Sequence, residues 1–460
     1  MATLVGAGLE VPCVDGTERP YRDLDCAAST PALASVADRI TELLPWYASV
    51  HRGAGFKSRT ATAAYEEARR RILDHCGRPG GSGGSGGDVA IICRNTTEAL
   101  NHLAYRLRFE PGDEVVATVV EHHANLLPWA RVATVRHVEC SADGTFDVDD
   151  VAAALDSGRR PRILALTGAS NVTGWMPPVT SICEMARERG VPVALDAAQL
   201  APHRPLPAAP DYLAFSGHKL YAPFGAGALV GPSTTFATGD PFLAGGGAVD
   251  LVDLDEVVWT DPPEREEAGS PNVLGAVALG QALVELDRIG WDAIIDHERH
   301  LAARLRTGLA SIDGVRLLGP SLTTETLALA TFTVEGMHHA LAAARLSAEY
   351  GIGVRHGCFC AHPYLLRLLG VGAGDVAAVR RRVLAGDRAG IPGAVRASCG
   401  IGTSAADVDA LLRAVAELAG GKPPAVPYRQ DQATGDFFPD TDLAGWAMTG
   451  QSAGPACALG

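Results

Sequence analysis

Short apolar runs alternate with helix-like segments from residue 88 to residue 230, and this rhythm restricts the fold more than any other feature of the sequence. Each run is long enough for one buried strand, and segments such as 179–189 have the apolar spacing of a helix. Strands alternating with helices are typical of βαβ units, whose strands form a mainly parallel sheet. The sequence therefore predicts a large α/β domain. The predicted strands are 89–92, 115–120, 162–166, 191–195, 212–215 and 228–230.

Long amphipathic patterns dominate beyond Asn272, which predicts a smaller α+β domain after the large one. We expect an N-terminal segment (1–30) that packs with the small domain, a large domain (31–290), a small domain (291–419) and a tail (420–460) that drapes over the body. Residues 80–87 contain only glycine and serine, which predicts a flexible surface loop. The helices predicted beyond Asn272 are 274–289, 291–309, 338–349 and 405–418, and the strands are 315–318, 327–333 and 394–397.

Composition excludes several classes of function. The formal charge is −14 and the basic residues form no stripe, which disfavours nucleic-acid binding. No apolar stretch approaches the roughly 20 residues that span a bilayer, and the start lacks an export signal. The ten cysteines are irregularly spaced, as expected for reduced thiols. We expect a cytoplasmic protein that acts on a small molecule, without nucleic-acid or membrane partners.

Lys219 stands in a glycine-bounded turn directly after a predicted strand, where ligands of open α/β sheets bind. The chain uses arginine for nearly all its positive charge, and its other lysines are Lys57 and Lys422. A lysine in a chain that otherwise uses arginine indicates that this position needs an amine. A desolvated amine is partly neutral and can condense with an aldehyde cofactor, whereas the alternative is a solvated surface lysine.

Two other strand ends carry residues that suit the same ligand. Asp196 ends a buried strand, where a carboxylate could keep a pyridinium nitrogen protonated, although a helix cap is an alternative. Thr96 and Thr97 follow another strand and open a helix, so their hydroxyls suit a phosphate, with a capping box as the alternative. His122 follows a further strand and could stack on a cofactor ring or move protons, although a lone histidine is more often structural.

Together these segments resemble the class V aminotransferase family of pyridoxal-phosphate enzymes, and most closely its cysteine desulfurase and selenocysteine lyase branch. The resemblance covers residues 24–418 and keeps the family's order throughout. The matching segments are Leu24-Asp-Cys-Ala-Ala-Ser-Thr30, Val50-His-Arg-Gly53, Asn95-Thr-Thr-Glu98, Glu121-His-His-Ala-Asn125, Ser170-Asn-Val-Thr-Gly174, Asp196-Ala-Ala-Gln199, Ser216-Gly-His-Lys219, Gly245-Gly-Gly247, Glu267-Ala-Gly-Ser-Pro-Asn272, Arg355-His-Gly-Cys-Phe-Cys-Ala-His-Pro363 and Val395-Arg-Ala-Ser398.

The resemblance implies the aspartate-aminotransferase-like fold (PLP-dependent transferase fold type I) and a homodimer with active sites at the subunit interface. It also implies pyridoxal 5′-phosphate as the cofactor. The implied roles are Lys219 as the Schiff-base lysine, Asp196 at the pyridine nitrogen, His122 stacked on the ring, Gln199 and Asn171 at the ring hydroxyl, and Thr96, Thr97, Ser216, His218 and Ser270 of the partner subunit at the phosphate.

The resemblance further implies the substrate and the nucleophile. Arg396 would clamp the carboxylate of L-cysteine, with Arg355, Asn171 and His51 as further substrate-binding residues. Cys360 matches the family's nucleophilic cysteine on a mobile loop. Its thiolate would take the substrate sulfur as a persulfide, Lys219 would move the Cα proton and alanine would leave. His122 would act as proton donor, and a sulfur-acceptor protein would be the partner.

Several departures from the family pattern leave alternatives open. Cys358 stands where the family requires no cysteine; it could relay a persulfide, join a metal cluster with Cys360 and His362, or be a spectator, and we predict no metal site. The stretch 398–402, the Gly/Ser segment and the tail also depart. A selenocysteine lyase, another carbon–sulfur lyase acting on a modified cysteine, or a non-catalytic sulfur-carrier scaffold are the competing interpretations.

Overall fold

The computed structural model describes residues 2–51, 53–78, 86–157 and 160–441. Short 3₁₀ turns lie at Leu44–Trp46, His123–Asn125, Gly217–Lys219 and Glu264–Glu266. The helices are α1 (Ala34–Leu43), α2 (Phe56–His75), α3 (Thr96–Arg106), α4 (Leu127–Ala130), α5 (Val148–Ser157), α6 (Val179–Glu188), α7 (Ser233–Phe236), α8 (Val273–Ile289), α9 (Trp291–Ala310), α10 (His339–Tyr350), α11 (His362–Leu369), α12 (Ala373–Leu384) and α13 (Ala405–Ala419). The strands are β1 (Glu10–Pro12), β2 (Glu18–Pro20), β3 (Arg22–Asp23), β4 (Asp88–Cys93), β5 (Glu114–Thr118), β6 (Thr134–Val138), β7 (Pro161–Thr167), β8 (Val193–Asp196), β9 (Tyr212–Ser216), β10 (Gly227–Pro232), β11 (Val249–Val252), β12 (Val257–Trp259), β13 (Val315–Leu318), β14 (Leu329–Val334), β15 (Ile352–Gly353), β16 (Arg355–Gly357), β17 (Ala394–Ser398), β18 (Tyr428–Gln430) and β19 (Phe437–Pro439).

A seven-stranded sheet forms the centre, in the order β4-β10-β9-β8-β7-β5-β6. The pairs from β9 through β6 are parallel, and β10 runs antiparallel to both of its neighbours. Successive side chains alternate between two hydrophobic clusters: Leu164 and Leu166 belong to one, Ile163 and Ala165 to the other. Both faces are therefore buried, which explains why these strands read as continuous apolar runs.

Helices cover the two faces of this sheet. Side chains of α1, α2 and α8 join the first cluster, for example Ile40, Ile72 and Leu279. Side chains of α3 join the second cluster, including Leu100 and Leu103. The predicted α/β architecture with a mainly parallel sheet is confirmed.

A second sheet, with the order β13-β14-β17-β16, is antiparallel throughout. Helices α9 and α13 and the inward face of α10 pack with it around a separate cluster that includes Leu305, Phe332 and Leu411. The N-terminal segment reaches this region because β3 pairs with β15, Arg22 opposite Ile352. The predicted strands and helices of this part are present, and the domain boundaries stay a prediction.

The described part of the tail lies against helix α10, which packs on the second sheet. Its hairpin β18–β19 contacts α10, and Arg345 donates a hydrogen bond to the Pro423 carbonyl oxygen. The expectation that the whole tail drapes over the body stays a prediction, because residues 442–460 lie outside the described residues. The Gly/Ser segment also lies outside them, except for Gly86 and Gly87. Among the described helices, none has the length and apolar character needed to cross a membrane.

Candidate active site

A cavity of about 320 Å³ opens at the carboxyl ends of the parallel strands. Strands β7, β8 and β9 end at Thr167, Asp196 and Ser216, and all three residues line it. Open α/β sheets bind ligands at this edge, and the volume suits a small organic ligand. The predicted site residues that line the cavity are Lys219, Cys360, His122, Thr96, Thr97, Asn171, Asp196, Gln199, Ser216, His218, Arg355 and Arg396.

Lys219 ends the 3₁₀ turn that follows β9. A Cβ at Gly217, which starts this turn, would lie 2.9 Å from the Ala226 carbonyl oxygen, so the tight path needs glycine. Burial lowers the pKa of Lys219 to about 8; the nearby Asp196 charge opposes this shift and Arg396 reinforces it. The structure records no hydrogen bond for this amine among the described residues. The lysine therefore offers a partly neutral, unengaged amine to the cavity.

Asp196 is 4% exposed at the end of β8. Its Oδ1 accepts a hydrogen bond from the Ala198 N–H over 2.9 Å. Burial raises the pKa of this carboxyl, while the Ala198 N–H and the Lys219 charge lower it. Few hydrogen bonds or positive charges offset the cost of burying this carboxylate. It therefore favours a ligand that brings a protonated ring nitrogen to it.

The N-terminus of α3 faces the same cavity. Ser216 Oγ accepts a hydrogen bond from the Thr96 N–H over 2.8 Å and lies 2.7 Å from Thr96 Oγ1. Asn95 is the helix cap, since its side chain accepts from the Glu98 N–H over 3.0 Å. Thr96 and Thr97 are thus the first helical residues rather than the cap. Their hydroxyls and the helix N-terminus form a cradle that suits a phosphate.

Two amides tie separate loops to the rim of the cavity. Asn171 Nδ2 donates to the Phe359 carbonyl oxygen over 2.6 Å, and Gln199 Nε2 donates to the Ala27 carbonyl oxygen over 2.7 Å. Among the described residues, neither side-chain oxygen has a recorded hydrogen bond. Both amides were predicted at the ring hydroxyl, and both line the cavity while also organising its loops.

His122 projects from the segment after β5. Its Nδ1 accepts a hydrogen bond from the Ala124 N–H over 3.0 Å, which places the proton of a neutral imidazole on Nε2. Burial lowers the pKa of His122 to about 3, and the Lys219 charge adds to this. Beside it, Glu121 is fully buried and accepts hydrogen bonds from Thr118, Asn125 and the Thr167 N–H. These bonds fix the turn that presents His122.

A pair of arginines lines the side of the cavity formed by the second sheet. Arg396 is 3% exposed; its Nη1 donates to the Asn171 carbonyl oxygen and its Nη2 to Asp25 Oδ1. Its Nε is buried without a hydrogen-bond partner among the described residues. Arg355 Nη2 lies 3.0 Å from Asp25 Oδ2. Burial lowers the pKa of Arg396 to about 10, opposed by Asp25, and the pair suits a carboxylate.

Cys360 lies at the mouth of the cavity. It is the exposed member of the cysteines that the structure describes, and its carbonyl oxygen accepts from the His123 N–H over 2.7 Å. The ring of His123 stacks on that of His362 at a centroid distance of 5.2 Å. Cys358 is half-buried, and burial raises the pKa of its thiol. Cys360 is therefore the accessible thiol and Cys358 the shielded one.

Two predicted site residues do not line the cavity of their own chain. His51 Nε2 is instead 2.8 Å from Glu66 Oε1, and His51, Glu66 and Glu264 form a group whose potential ligand atoms lie within 4.8 Å of one another. Ser270 is exposed, and its expected place in a partner's site stays a prediction. Cys358, Cys360 and His362 do not form such a group with one another in the described chain.

Sequence reasoning gave no role to Asp25, Phe359 or Glu121. Asp25 and Glu121 stand inside matching segments, so only their position in the resemblance could have indicated them. Phe359 also stands inside a matching segment, beside the expected nucleophile, and its residue type gave no further signal. Their roles arise from contacts between segments that are far apart in the chain.

Comparison with known proteins places these features in a family. The sequence model described as Aminotransferase class-V matches residues 23–411. A protein of Dickeya dadantii named cysteine desulfurase is 37% identical over 362 residues, which cover 76% of this chain and 85% of that protein. A probable cysteine desulfurase of Halobacterium salinarum is 32% identical, covering 89% of this chain and 94% of its own length.

Solved structures agree with the sequence matches. The apo structure of a cysteine desulfurase from Thermococcus onnurineus superposes with a TM-score of 0.77 at 32% identity, covering 87% of this chain and 95% of that one. A cysteine desulfurase of Escherichia coli, solved in an S-sulfonic acid form, gives a TM-score of 0.73 at 33% identity, covering 87% and 94%.

Proposed function

Since the chain belongs to the class-V aminotransferase family, as its sequence predicted, we propose that it is a pyridoxal-phosphate-dependent cysteine desulfurase. The observation that carries this proposal is the arrangement of three groups around one cavity: the buried amine of Lys219, the exposed thiol of Cys360 and the buried guanidinium of Arg396. These are an amine for the cofactor, a sulfur acceptor and a carboxylate clamp. The reaction converts L-cysteine to L-alanine and leaves the sulfur on Cys360.

The residues present fit pyridoxal phosphate. The unengaged Lys219 amine suits its aldehyde, the buried Asp196 its ring nitrogen, and the cradle of Thr96, Thr97 and Ser216 its phosphate. His218 would join the phosphate cradle, and His122, Asn171 and Gln199, which line the same cavity, would contact the ring. When bound, the cofactor supplies an electron sink for charge that develops at the substrate Cα.

Lys219 is the group that moves the Cα proton. Burial lowers the pKa of its amine to about 8, so a substantial fraction is neutral near physiological pH. A general base works best when its pKa is close to the working pH. The fixed turn between β9 and β10 holds the amine at the sheet edge, within the same cavity as the other groups.

Arg396 and Arg355 hold the substrate carboxylate. Arg396 keeps Nε free of partners among the described residues, and its planar fork suits a bidentate contact. Asp25 offsets part of the charge of the two guanidinium groups and fixes their direction. Substrate is thereby oriented with its carboxylate toward β17.

Cys360 takes the sulfur. Its thiolate attacks the substrate sulfur, so that a sulfur–sulfur bond forms and the Cβ–S bond breaks. The electron pair of that bond ends on carbon, which takes a proton to complete alanine, and Cys360 carries the persulfide. His122 is neutral at the start of this reaction and carries its proton on Nε2. We assign it as the residue that donates a proton to the substrate.

The active protein is a homodimer with shared sites. Leu44, Trp46, Tyr47 and Phe56 are all exposed, and the rings of Trp46 and Phe56 are in contact at a centroid distance of 5.9 Å. Such a patch favours burial by a second copy. In this arrangement Ser270 of the partner subunit completes the phosphate cradle. The persulfide passes to a sulfur-acceptor protein in the cytoplasm.

A comparison of three proteins tests this function: wild type, Cys360→Ser and the control Cys140→Ser, which changes a half-buried cysteine outside the cavity. Alanine and protein-bound sulfane sulfur are measured after addition of L-cysteine. We expect both products from wild type and from Cys140→Ser, and neither from Cys360→Ser.

The alternatives give different results in the same experiment. If Cys360→Ser keeps full activity, a carbon–sulfur lyase that needs no cysteine is the better assignment, and selenocysteine or modified cysteines become the substrates to test. If wild type binds pyridoxal phosphate but turns over none of these amino acids, the sulfur-carrier scaffold is favoured.

A further inference from the structure

Cys360 lies on a tight turn of unusual conformation. The nucleophile turn (residues 358–361) is closed by a hydrogen bond from the Ala361 N–H to the Cys358 carbonyl oxygen over 3.0 Å. Its two central residues, Phe359 and Cys360, have φ angles of 55° and 54°. Turns of this kind favour glycine or asparagine, because other side chains are strained at positive φ. Surrounding contacts must therefore hold the turn in place.

Phe359 provides the buried anchor of this turn. Its side chain is 8% exposed and lines the cavity, whereas Cys360 beside it is exposed. Its carbonyl oxygen accepts the 2.6 Å hydrogen bond from Asn171. A second hydrogen bond, from the His123 N–H to the Cys360 carbonyl oxygen, holds the backbone at the centre of the turn. The ring of Phe359 is thus the large buried side chain at the centre of the nucleophile turn, flanked by the buried Ala361 and the half-buried Cys358.

The same ring contacts the proposed carboxylate clamp. The guanidinium carbon of Arg396 lies 5.1 Å from the centroid of the Phe359 ring, a cation–π distance. Asn171 connects the two residues a second time, since its carbonyl oxygen accepts from Arg396 Nη1 while its side chain donates to Phe359. The support of Cys360 and the support of the substrate carboxylate are therefore one packed unit.

We propose that Phe359 is a positioning residue that aims Cys360 at the substrate sulfur by anchoring the nucleophile turn on Arg396. The inference rests on the proposed function and deepens it. The guanidinium of Arg396 holds the substrate carboxylate, and the Phe359 ring that anchors the nucleophile turn packs on that same guanidinium. The distance between the held carboxylate and the attacking thiol is then set by the protein.

The test uses the purified holoenzyme with four variants. Phe359→Ala removes the ring; Phe359→Asn removes it while suiting a positive φ, so that the turn can form without strain. Phe359→Leu keeps an apolar anchor. Phe438→Ala, at a half-exposed phenylalanine of the tail hairpin outside the cavity, is the matched control. The readouts are the rate of Cys360 alkylation by iodoacetamide, followed by peptide mass spectrometry, and kcat and KM for L-cysteine.

We expect Phe359→Ala and Phe359→Asn to be alkylated several-fold faster at Cys360, because the turn is released. Their kcat should fall about 100-fold, the cost of misplacing a reacting group, while KM stays within about threefold of wild type because Arg396 is intact. Phe359→Leu should recover most of kcat, and Phe438→Ala should match wild type. Should Phe359→Ala fail to fold, Phe359→Asn decides the question.

Unchanged alkylation rates in both ring-deleted variants, or a rise in KM with kcat preserved, would overturn the inference. Failure of the proposed function looks different. In that case wild type does not convert L-cysteine at all, and the alkylation rates still decide whether Phe359 holds the nucleophile turn.

Discussion

Arg355 and Arg396 are directly opposed residues on the antiparallel strands β16 and β17. Two like charges at such positions repel one another, and Asp25, with one oxygen toward each guanidinium, offsets the repulsion. Asp25 comes from the N-terminal segment, which joins this region through β3. The cavity therefore has a positive wall that three distant parts of the chain build together.

Arg396→Lys should raise KM for L-cysteine about 10- to 100-fold, because a single ammonium cannot replace a bidentate contact to a carboxylate. Cofactor absorbance should be unchanged. Steady-state kinetics provide the measurement, with Arg380→Lys on the exposed face of α12 as the control. An unchanged KM would mean that the substrate carboxylate lies elsewhere.

Ser216→Ala should weaken binding of pyridoxal phosphate about tenfold, because it removes the acceptor of the Thr96 N–H and disturbs the Thr96 hydroxyl in the phosphate cradle. Fluorescence titration of the apoprotein with pyridoxal phosphate gives the Kd. Ser157→Ala, at the exposed end of α5, should bind as wild type does. Equal affinities for Ser216→Ala and wild type would remove Ser216 from the proposed cradle.

His122→Phe should keep the absorbance of the proposed cofactor and lose about 100-fold in kcat, because it keeps an aromatic ring at the position proposed to stack on the cofactor but removes the Nε2 proton. Burial lowers the pKa of His122 to about 3, so protonation of this group should cause no loss of wild-type activity between pH 5 and pH 8. Absorbance spectra and pH–rate profiles check both statements. A wild-type acid limb that vanishes in His122→Phe would contradict the second.

Glu121→Gln should change how stability depends on pH. Burial raises the pKa of Glu121 from 4.5 to about 8, so the folded chain keeps a proton that the unfolded chain releases. The stability from this group is present below pH 4.5 and is lost as pH rises toward 8, with a slope of up to about 1.4 kcal/mol per pH unit. Melting temperatures of wild type and Glu121→Gln from pH 5 to pH 8 should therefore shift in favour of the variant. Glu42→Gln, at an exposed carboxylate, should show no such trend, and parallel curves for Glu121→Gln would refute the prediction.

Trp46→Glu should convert a dimer to single chains, because it places a charge on the exposed apolar surface that also holds Phe56. Sedimentation equilibrium measures the mass. Leu384→Glu changes an exposed apolar residue of α12, far from the Trp46 segment in the sequence, and should leave the mass unchanged. A wild-type mass of one chain would rule out the homodimer.

The sequence predicted the central strands because both faces of the sheet are buried, so their apolar runs are unbroken. It did not predict β6, an edge strand in which Arg136 and exposed Thr134 interrupt the apolar pattern. It also did not predict α2, whose buried face carries Arg69, paired with Glu267, in place of an aliphatic residue. A polar residue whose partner is distant in the chain interrupts the apolar pattern, so the strand or helix that contains it is not recognised from the sequence.

The same reason separates the predicted from the unpredicted part of the cavity. Lys219 and Asp196 follow strand ends, so local sequence and a resemblance were enough to indicate them. Asp25 acts through Arg396, a residue 371 positions away, and Phe359 acts through Asn171, 188 positions away. No local pattern encodes such contacts, and only the folded chain reveals them.

The two proposed reacting residues stand on parts of the fold that differ in rigidity. Lys219 lies in the connection between β9 and β10, whose flanking residues Ser216 and Gly227 are paired inside the central sheet. Cys360 lies on a strained surface turn. Amide protons around the lysine should thus exchange with solvent far more slowly than those around the cysteine. As the protein ages or is warmed, the absorbance of the proposed cofactor should outlast the ability to accept sulfur, so absorbance alone would be a poor measure of active enzyme.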